Sequence, residues 1–301
     1  MRKEKELIHL LKNQPNHFII KTLVFTLLAL VAFAANSILC RLALGENSID
    51  ASSFTAIRLL SGAVVLMAIL KANKQKNSSA KGNWLAGSML FVYAITFSFA
   101  YITLSTGTGA LILFGSVQIT MILISLASGH RLHISEWAGV SIAFAGFVYL
   151  VLPGVSSPPL GGFILMTMAG IAWGIYTLKG RGSKNPLADT AYNFLRTLPL
   201  VIILTMITIH NAHYTTEGVL LAVLSGAIAS GIGYTIWYIA LGGLSATQAA
   251  VVQLFVPVIA ALGGVIFVSE PITLRLTLSG ITILGGILLV VLGRYYFVQT
   301  R

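Results

Sequence analysis

Ten long apolar runs, separated by short polar turns, dominate this sequence. Each run is long enough to cross a hydrocarbon layer of about 30 Å as an α-helix. None shows the sustained alternation of apolar and polar residues that membrane-spanning β-strands require. The pattern therefore predicts an all-α polytopic membrane protein with ten transmembrane helices. The runs are 18–44, 51–70, 83–104, 108–127, 136–152, 160–178, 189–209, 217–240, 246–267 and 273–295.

The number and placement of charged residues support this class. Only 9% of the 301 residues are charged, whereas soluble domains carry about 25%, so a water-soluble enzyme is excluded. The net charge of +11 would suit a nucleic-acid partner, but Lys and Arg crowd into short loops between the apolar runs. That placement indicates a lipid bilayer and no nucleic acid. The one cysteine, Cys40, excludes an internal disulfide and a cysteine zinc site.

The distribution of positive charge predicts the orientation. Of the 19 Lys and Arg residues, fifteen lie in tails and loops on one side, and only Arg275 lies on the other. Positively charged loops stay in the cytoplasm, so both tails, 1–17 and 296–301, are expected on the cytoplasmic side of the cell inner membrane. Ala32-Phe33-Ala34 resembles a signal-peptidase site, but the apolar run continues to Leu44, so we expect no cleavage there.

The two halves of the chain repeat each other. A shift of 138 residues places Arg58 on Arg196, and similar shifts relate the later crossings. Each half holds five crossings, and because five is an odd number the second half enters the membrane inverted. Inverted repeats that enclose a binding site are typical of secondary transporters. The predicted repeats are 18–152 and 160–295, arranged around a central cavity.

The sequence resembles the EamA-type permeases of the drug/metabolite transporter (DMT) superfamily over nearly its whole length. The resemblance is carried by residues 56–62 in the second crossing, 257–264 in the ninth, and Glu270-Pro271 just after it. It implies a basket of ten helices in which crossings 1, 3, 4, 6, 8 and 9 line the cavity. Crossings 5 and 10 would be peripheral, with Val140 and Val290 as lipid-facing positions.

No catalytic constellation is visible in the sequence. The eight Asp and Glu residues and the six His residues all lie in tails or at the ends of the runs. The membrane core therefore lacks the groups that usually relay protons in pumps. We expect no enzyme activity, no metal and no cofactor, and transport that follows the substrate gradient, alone or by exchange.

Two arginines, Arg58 and Arg196, lie deep in the second and seventh crossings. A charged side chain at that depth costs at least about 2.5–3.5 kcal/mol, so each needs a partner. Each guanidinium either snorkels towards the membrane interface or binds carbonyls at a neighbouring helix end and braces the helices, or it holds a substrate carboxylate; the sequence leaves these roles open. At the start of the tenth crossing Glu270 has Arg275 within pairing range, and we interpret this pair as structural.

Aromatic and amide side chains deep in the crossings are the candidates for substrate binding. Trp173 and Tyr176 share one helical face of crossing 6, and Tyr234 and Trp237 share one face of crossing 8, because they are three residues apart. Alternatively, these rings do not bind substrate but face lipid or pack against neighbouring helices. Crossing 3 carries the matching stripe Tyr93, Phe97 and Tyr101. The predicted substrate-binding residues are Asn36, Phe97, Tyr101, Gln118, Trp173, Tyr176, Tyr234, Trp237 and Gln253.

Pro257 breaks the hydrogen bonds of the ninth helix and is the predicted hinge.

These observations predict a secondary transporter that works by alternating access. The expected substrate is a small polar metabolite such as an amino acid or a derivative, and the family resemblance implies export. Uptake or exchange of a larger nucleotide-derived metabolite is the alternative within transport. Two other classes stay open: an accessory subunit without an internal cavity, and an enzyme for lipid-linked substrates, which would need clustered polar residues at one interface. A homodimer is compatible with each of these.

The charge distribution predicts which loops a membrane-impermeant reagent reaches. With Cys40 replaced, a single cysteine at Ser156 is expected to react with an impermeant maleimide in intact cells. One at Ser79 is expected to stay unlabelled, because its loop is cytoplasmic. Equal labelling, or the reverse pattern, would overturn the orientation and the inverted repeat with it.

Overall fold

The structure is a computed structural model that describes residues 2–73, 81–129, 133–154, 157–180, 183–244 and 246–298. Within that part of the chain, ten helical segments are long and apolar enough to cross a membrane, so the predicted all-α fold is confirmed. The first seven helices are α1 (Arg2–Gly45), α2 (Ala51–Ala72), α3 (Trp84–Tyr101), α4 (Thr106–Ala127), α5 (Ile134–Val151), α6 (Leu160–Gly180) and α7 (Pro186–Thr208). The later elements are a short 3₁₀-helix (Ile209–Asn211), α8 (Thr216–Val223), a π-helix (Leu224–Ile232), α9 (Gly233–Leu241), α10 (Ala246–Gln253), α11 (Val256–Val268) and α12 (Leu274–Val298).

The helices extend into the predicted tails. Helix α1 begins at Arg2, so the stretch 1–17 is helical from its second residue onward and is continuous with the first crossing. Helix α12 continues to Val298. Residues 299–301 of the other predicted tail lie outside the described residues, as do Ser79 and Ser156.

Short polar turns determine where the helices begin. The carboxylate of Asp50 accepts hydrogen bonds from the N–H groups of Ser52 and Ser53 and so caps α2. Asn83 caps α3 in the same way, through the N–H group of Ala86. Such caps satisfy N–H groups that the first turn of a helix leaves without a partner. The polar residues between the apolar runs thus set the helix starts.

The eighth and ninth crossings are interrupted α-helices. The eighth contains the nine-residue π-helix between α8 and α9. This segment runs so close to α2 that a Cβ atom added at Gly226 would collide with the carbonyl oxygen of Arg58. The ninth crossing is interrupted at Leu254 and Phe255, directly before α11, whose second residue is Pro257. Irregular helix segments of this kind often occur at functional sites.

Small residues allow the helices to approach closely. A Cβ atom added at Gly170 of α6 would lie 2.5 Å from the Cβ atom of Ser116 in α4, and one at Gly139 of α5 would lie 2.5 Å from the carbonyl oxygen of Gly286 in α12. The peripheral helices of the two repeats, α5 and α12, therefore pack tightly on each other. Val290 is only 4% exposed because it packs against Gly139, so its predicted lipid-facing position is wrong.

The outer surface of the bundle is apolar. Ile203 and Met206 on α7, Ile266 and Phe267 on α11, and Ile281 on α12 are all large apolar residues with more than half of their surface exposed. An apolar surface of this extent is unusual on a soluble monomer. It matches the hydrocarbon layer that the ten helices are long enough to cross.

Adjacent glycines of α12 provide a matched test of its packing on α5. A Cβ atom at Gly286 would lie 2.5 Å from the carbonyl oxygen of Gly139, whereas one at Gly285 would meet no atom within 4 Å. We expect Gly286→Ala to lower the unfolding temperature in detergent by several degrees, because overpacking typically costs about 1–3 kcal/mol. Gly285→Ala should leave the unfolding temperature unchanged or slightly raised. Equal effects of the two substitutions would contradict this packing.

Candidate substrate cavity

A cavity of about 400 Å³ lies between the two repeats. Its walls come from α1, α3 and α4 of the first repeat and from α6, α7, the π-helix, α9 and α10 of the second. The cavity extends from the middle of the bundle to the loop between α6 and α7, where Ser183 of the loop and Pro186 at the start of α7 line it. The predicted central cavity is therefore confirmed, and α7 joins the helices expected to line it.

Trp173 of α6 is the centre of an aromatic cluster in the cavity wall. Its ring centroid lies 4.8 Å from that of Tyr93, 5.1 Å from that of Tyr176 and 5.4 Å from that of Tyr234. Phe97 extends the cluster, with its centroid 5.3 Å from that of Tyr93. Aromatic pairs at such separations attract each other beyond the effect of burial alone. Side chains from α3, α6 and α9 thus form one continuous apolar wall.

A chain of hydrogen bonds runs through the wall of the cavity at Asn36 and Tyr93. The hydroxyl of Ser225 donates to Oδ1 of Asn36 (2.6 Å), and Nδ2 of Asn36 donates to the hydroxyl oxygen of Tyr93 (3.3 Å). Nη2 of Arg58 donates to the same hydroxyl oxygen (3.0 Å). Side chains of the π-helix, α1, α3 and α2 are joined in this way.

Arg58 is only 2% exposed, and no carboxylate is among its described hydrogen-bond partners. Its guanidinium carbon lies 4.8 Å from the ring centroid of Phe97 and 5.1 Å from that of Tyr93. Desolvated cation–π contacts are worth about 2 kcal/mol, so the two rings offset part of the cost of burying the charge. Nη1 is buried without a hydrogen-bond partner in the structure. The guanidinium lies behind Tyr93 and Phe97 and is not part of the cavity lining.

Arg196 differs from Arg58 in its surroundings. Its Nη1 donates to the carbonyl oxygens of Lys81 and Tyr192, and its guanidinium carbon lies 5.7 Å from the ring centroid of Trp84. Because Lys81 and Trp84 mark the start of α3, the guanidinium lies at one end of the bundle. The two guanidinium groups therefore lie at different depths, although the sequence places both arginines deep in their crossings. Its hydrogen bonds to backbone carbonyl oxygens are those expected of an arginine that braces neighbouring helices, one of the roles that the sequence left open.

The mouth of the cavity carries a carboxylate that sequence reasoning missed. Asp189, in the first turn of α7, lines the cavity and accepts hydrogen bonds from the N–H group of Gly82 (2.7 Å) and the hydroxyl of Ser183. The neighbouring hydroxyl of Thr190 lies 2.5 Å from that of Tyr238. In the sequence Asp189 stands at the end of an apolar run and is indistinguishable from a loop residue. Only the packing of α7 brings it to the cavity.

At the opposite end of the bundle, Glu270 connects three segments of the chain through hydrogen bonds. Its Oε1 atom accepts a hydrogen bond from Nε of Arg41 (2.9 Å), and its Oε2 atom accepts one from the N–H group of Thr106 (2.7 Å). Nη1 of Arg41 also donates to the carbonyl oxygens of Tyr101 and Ile102, both at 3.1 Å. The end of α1, the turn between α3 and α4, and the turn before α12 therefore meet at the Arg41–Glu270 ion pair.

Arg275 is not the partner of Glu270 that the sequence suggested. Its Nη1 atom donates to the carbonyl oxygens of Leu150 and Leu152, and its guanidinium carbon lies 5.7 Å from the ring centroid of Tyr149. Sequence proximity favoured Arg275, but the inverted repeat brings Arg41 to Glu270 across 229 residues.

The structure brings most of the predicted substrate-binding residues to the cavity. Those in its lining are Asn36, Phe97, Gln118, Trp173, Tyr176, Tyr234, Trp237 and Gln253. Tyr101 is not among them, because it is completely buried behind Phe97 and its hydroxyl donates to the carbonyl oxygen of Thr106 (3.2 Å). Pro257 lines a separate apolar groove between α4, α11 and α12. Its role as a hinge stays a prediction.

Two inverted five-helix repeats around one cavity are the architecture of a membrane transporter. The family model for the EamA-like transporter family matches the chain twice, over residues 20–152 and 160–292. The chain therefore belongs to the EamA-like transporter family of the DMT superfamily and is a multi-pass membrane protein.

Known relatives are consistent with this family. The chain is 48% identical over 274 residues to an uncharacterised protein of Pseudomonas aeruginosa, covering 91% of this chain and 96% of that protein. It is 28% identical over 284 residues to an uncharacterised transporter of Archaeoglobus fulgidus (89% and 96% covered). It is 19% identical over 258 residues to the uncharacterised transporter YoaV of Bacillus subtilis (81% and 88% covered). One crystal structure shares the fold, with a TM-score of 0.62 at 19% identity, over 90% of this chain and 98% of that one.

Proposed function

We propose that this transporter exports an amino acid or an amino acid derivative by alternating access. The observation that carries the proposal is the cavity between the repeats. Its volume of about 400 Å³ falls among small-molecule sites, which measure about 300–1,000 Å³. Its lining combines the aromatic cluster around Trp173 with the amides of Asn36, Gln118 and Gln253. An amino acid with an apolar or weakly polar side chain requires both kinds of surface, because its ammonium and carboxylate groups need polar partners.

The charges near the two ends of the cavity suit a zwitterion. The carboxylate of Asp189 lines the mouth. The guanidinium of Arg58 lies behind the innermost wall, within about 5 Å of two rings that line the cavity. The negative charge of Asp189 attracts the ammonium group as a substrate enters the mouth, and the positive charge of Arg58 attracts the carboxylate of a substrate bound at the inner wall.

The difference between the two ends of the bundle supports alternating access. The cavity reaches the loop between α6 and α7. This loop contains Lys184 and follows Lys179 in the last turn of α6, and it is cytoplasmic by the distribution of positive charge. The Arg41–Glu270 ion pair holds the opposite end. Substrate would enter from the cytoplasm and leave on the other side once that pair separates. Export would begin from this arrangement, in which the cavity faces the cytoplasm.

A larger nucleotide-derived substrate is less well supported. Its phosphates would require several Arg or Lys side chains, and the described lining of the cavity contains neither residue type. The second alternative, an accessory subunit without transport, predicts no internal cavity, so the cavity counts against it as well.

Substitutions in the cavity lining are expected to impair transport without unfolding the protein. In proteoliposomes screened with labelled amino acids and nucleotides, Trp173→Ala and Gln118→Ala should each lower the initial rate at sub-saturating substrate at least tenfold. A loss of about 1.4 kcal/mol of binding free energy suffices for a tenfold effect. Trp137→Ala is the matched control, because the Trp137 indole on the peripheral helix α5 is 48% exposed and outside the cavity.

The control is expected to transport at the wild-type rate. Wild-type transport by Trp173→Ala would show that this ring only packs helices together and that the cavity wall is assigned wrongly. A wild-type protein that moves nucleotides but no amino acid would refute the proposed substrate class.

A further inference from the structure

The hydroxyl of Tyr93 accepts two hydrogen bonds. Nη2 of Arg58 donates to it at 3.0 Å, and Nδ2 of Asn36 donates to it at 3.3 Å. A phenolic hydroxyl has one proton to donate and two lone pairs with which to accept. Because both lone pairs are engaged by donors, the proton of Tyr93 must point away from Arg58 and Asn36.

The two donors are fixed in that role. A guanidinium has no acceptor atom, so Arg58 can only donate. The amide of Asn36 is oriented by Ser225, whose hydroxyl lies 2.6 Å from Oδ1. That distance is typical of an O–H···O hydrogen bond and is too short for N–H···O. The amide oxygen therefore faces Ser225 and the amide nitrogen faces Tyr93.

The Tyr93 proton has no acceptor among the residues that the structure describes. Tyr93 is only 4% exposed, and it lines the cavity next to Trp173. A buried donor without an acceptor costs about 1–3 kcal/mol. An acceptor supplied by a substrate in the cavity would remove that cost.

The charge behind Tyr93 specifies the kind of acceptor. Arg58 is 2% exposed, has no carboxylate among its described partners, and leaves Nη1 without a hydrogen bond. An uncompensated positive charge in a poorly polarisable environment favours a negative charge nearby. An anionic oxygen in front of Tyr93 would be stabilised by the hydrogen bond and by the guanidinium together.

We propose that the hydroxyl of Tyr93 donates a hydrogen bond to the carboxylate of the substrate. Arg58 supplies the compensating charge from behind the ring, and Asn36 holds the hydroxyl in the donating orientation. This inference rests on the proposed function and deepens it: the transporter selects for a free carboxylate. The same molecule with its carboxylate converted to a neutral amide is a poor substrate.

The test compares L-phenylalanine, L-leucine, L-methionine and L-threonine, each with its carboxamide, as labelled substrates in proteoliposomes. Wild-type protein is expected to transport at least one of the acids, and at a rate at least tenfold above that of its amide. Tyr93→Phe keeps the ring and removes only the hydroxyl, so it should lower the rate for the acid at least tenfold and leave the rate for the amide unchanged. Arg58→Gln should likewise abolish the preference, provided that size-exclusion chromatography shows it folded.

Tyr149→Phe is the matched control, since Tyr149 also lies beneath an arginine, Arg275, but outside the cavity. It should keep the wild-type preference for the acid. Equal transport of acid and amide by wild-type protein, or an undiminished preference in Tyr93→Phe, would overturn the carboxylate site and leave the proposed function standing. If wild-type protein transports no amino acid in the labelled screen, the proposed function fails and the carboxylate site fails with it.

Discussion

The buried guanidinium of Arg58 is the group on which the arrangement of the two repeats depends. A hydrocarbon layer offers no water to solvate it, so protein groups must surround the charge. The hydroxyl of Tyr93 and the rings of Tyr93 and Phe97 do so, which requires α3 to lie against α2. Tyr93 also receives a hydrogen bond from Asn36, which in turn receives one from Ser225 of the π-helix. One charge thus connects three crossings of the first repeat with the eighth crossing, in the second.

The polar contacts between the helices differ in burial, and this difference determines which of them can separate during transport. The polar network around Arg58 lies inside the bundle, and breaking it would leave buried groups without partners. At the end of the bundle, Arg41 and Glu270 have 22% and 14% of their side chains exposed, so water already reaches both groups and can replace part of their hydrogen bonding once they part. A transporter needs both kinds of contact: a fixed site near the middle of the membrane and an end that opens.

The ten crossings and the repeat follow from the sequence because hydrocarbon thickness and backbone hydrogen bonding leave few other arrangements. Because these constraints fix where each crossing begins and ends, the aromatic and amide residues that lie deep in the crossings are recognisable too, and most of them line the cavity. The sequence did not predict correctly the positions of four side chains, and the four errors share one cause. These residues are Asp189, Tyr101, Val290 and Arg196. Each depends on how a helix is rotated about its axis or how far a long side chain reaches, and tertiary packing sets both. The role of Tyr93 is likewise invisible in the sequence, because it arises from hydrogen bonds to residues 35 and 57 positions away.

The most direct test asks whether one site in the cavity is reached alternately from the two ends of the bundle. It measures how fast a thiol reagent labels a single cysteine introduced at Ser37, with Cys40 replaced. Ser37 lines the cavity one helical turn before Arg41. In oriented membrane vesicles, a small thiol reagent should reach it readily from the side of the α6–α7 loop and much more slowly from the side of Arg41. Glu270→Gln should raise the slow rate at least severalfold, whereas Glu217→Gln, exposed at the same end of the bundle, should not. An unchanged rate in Glu270→Gln would contradict the account, as would equal access from both sides in the unaltered protein.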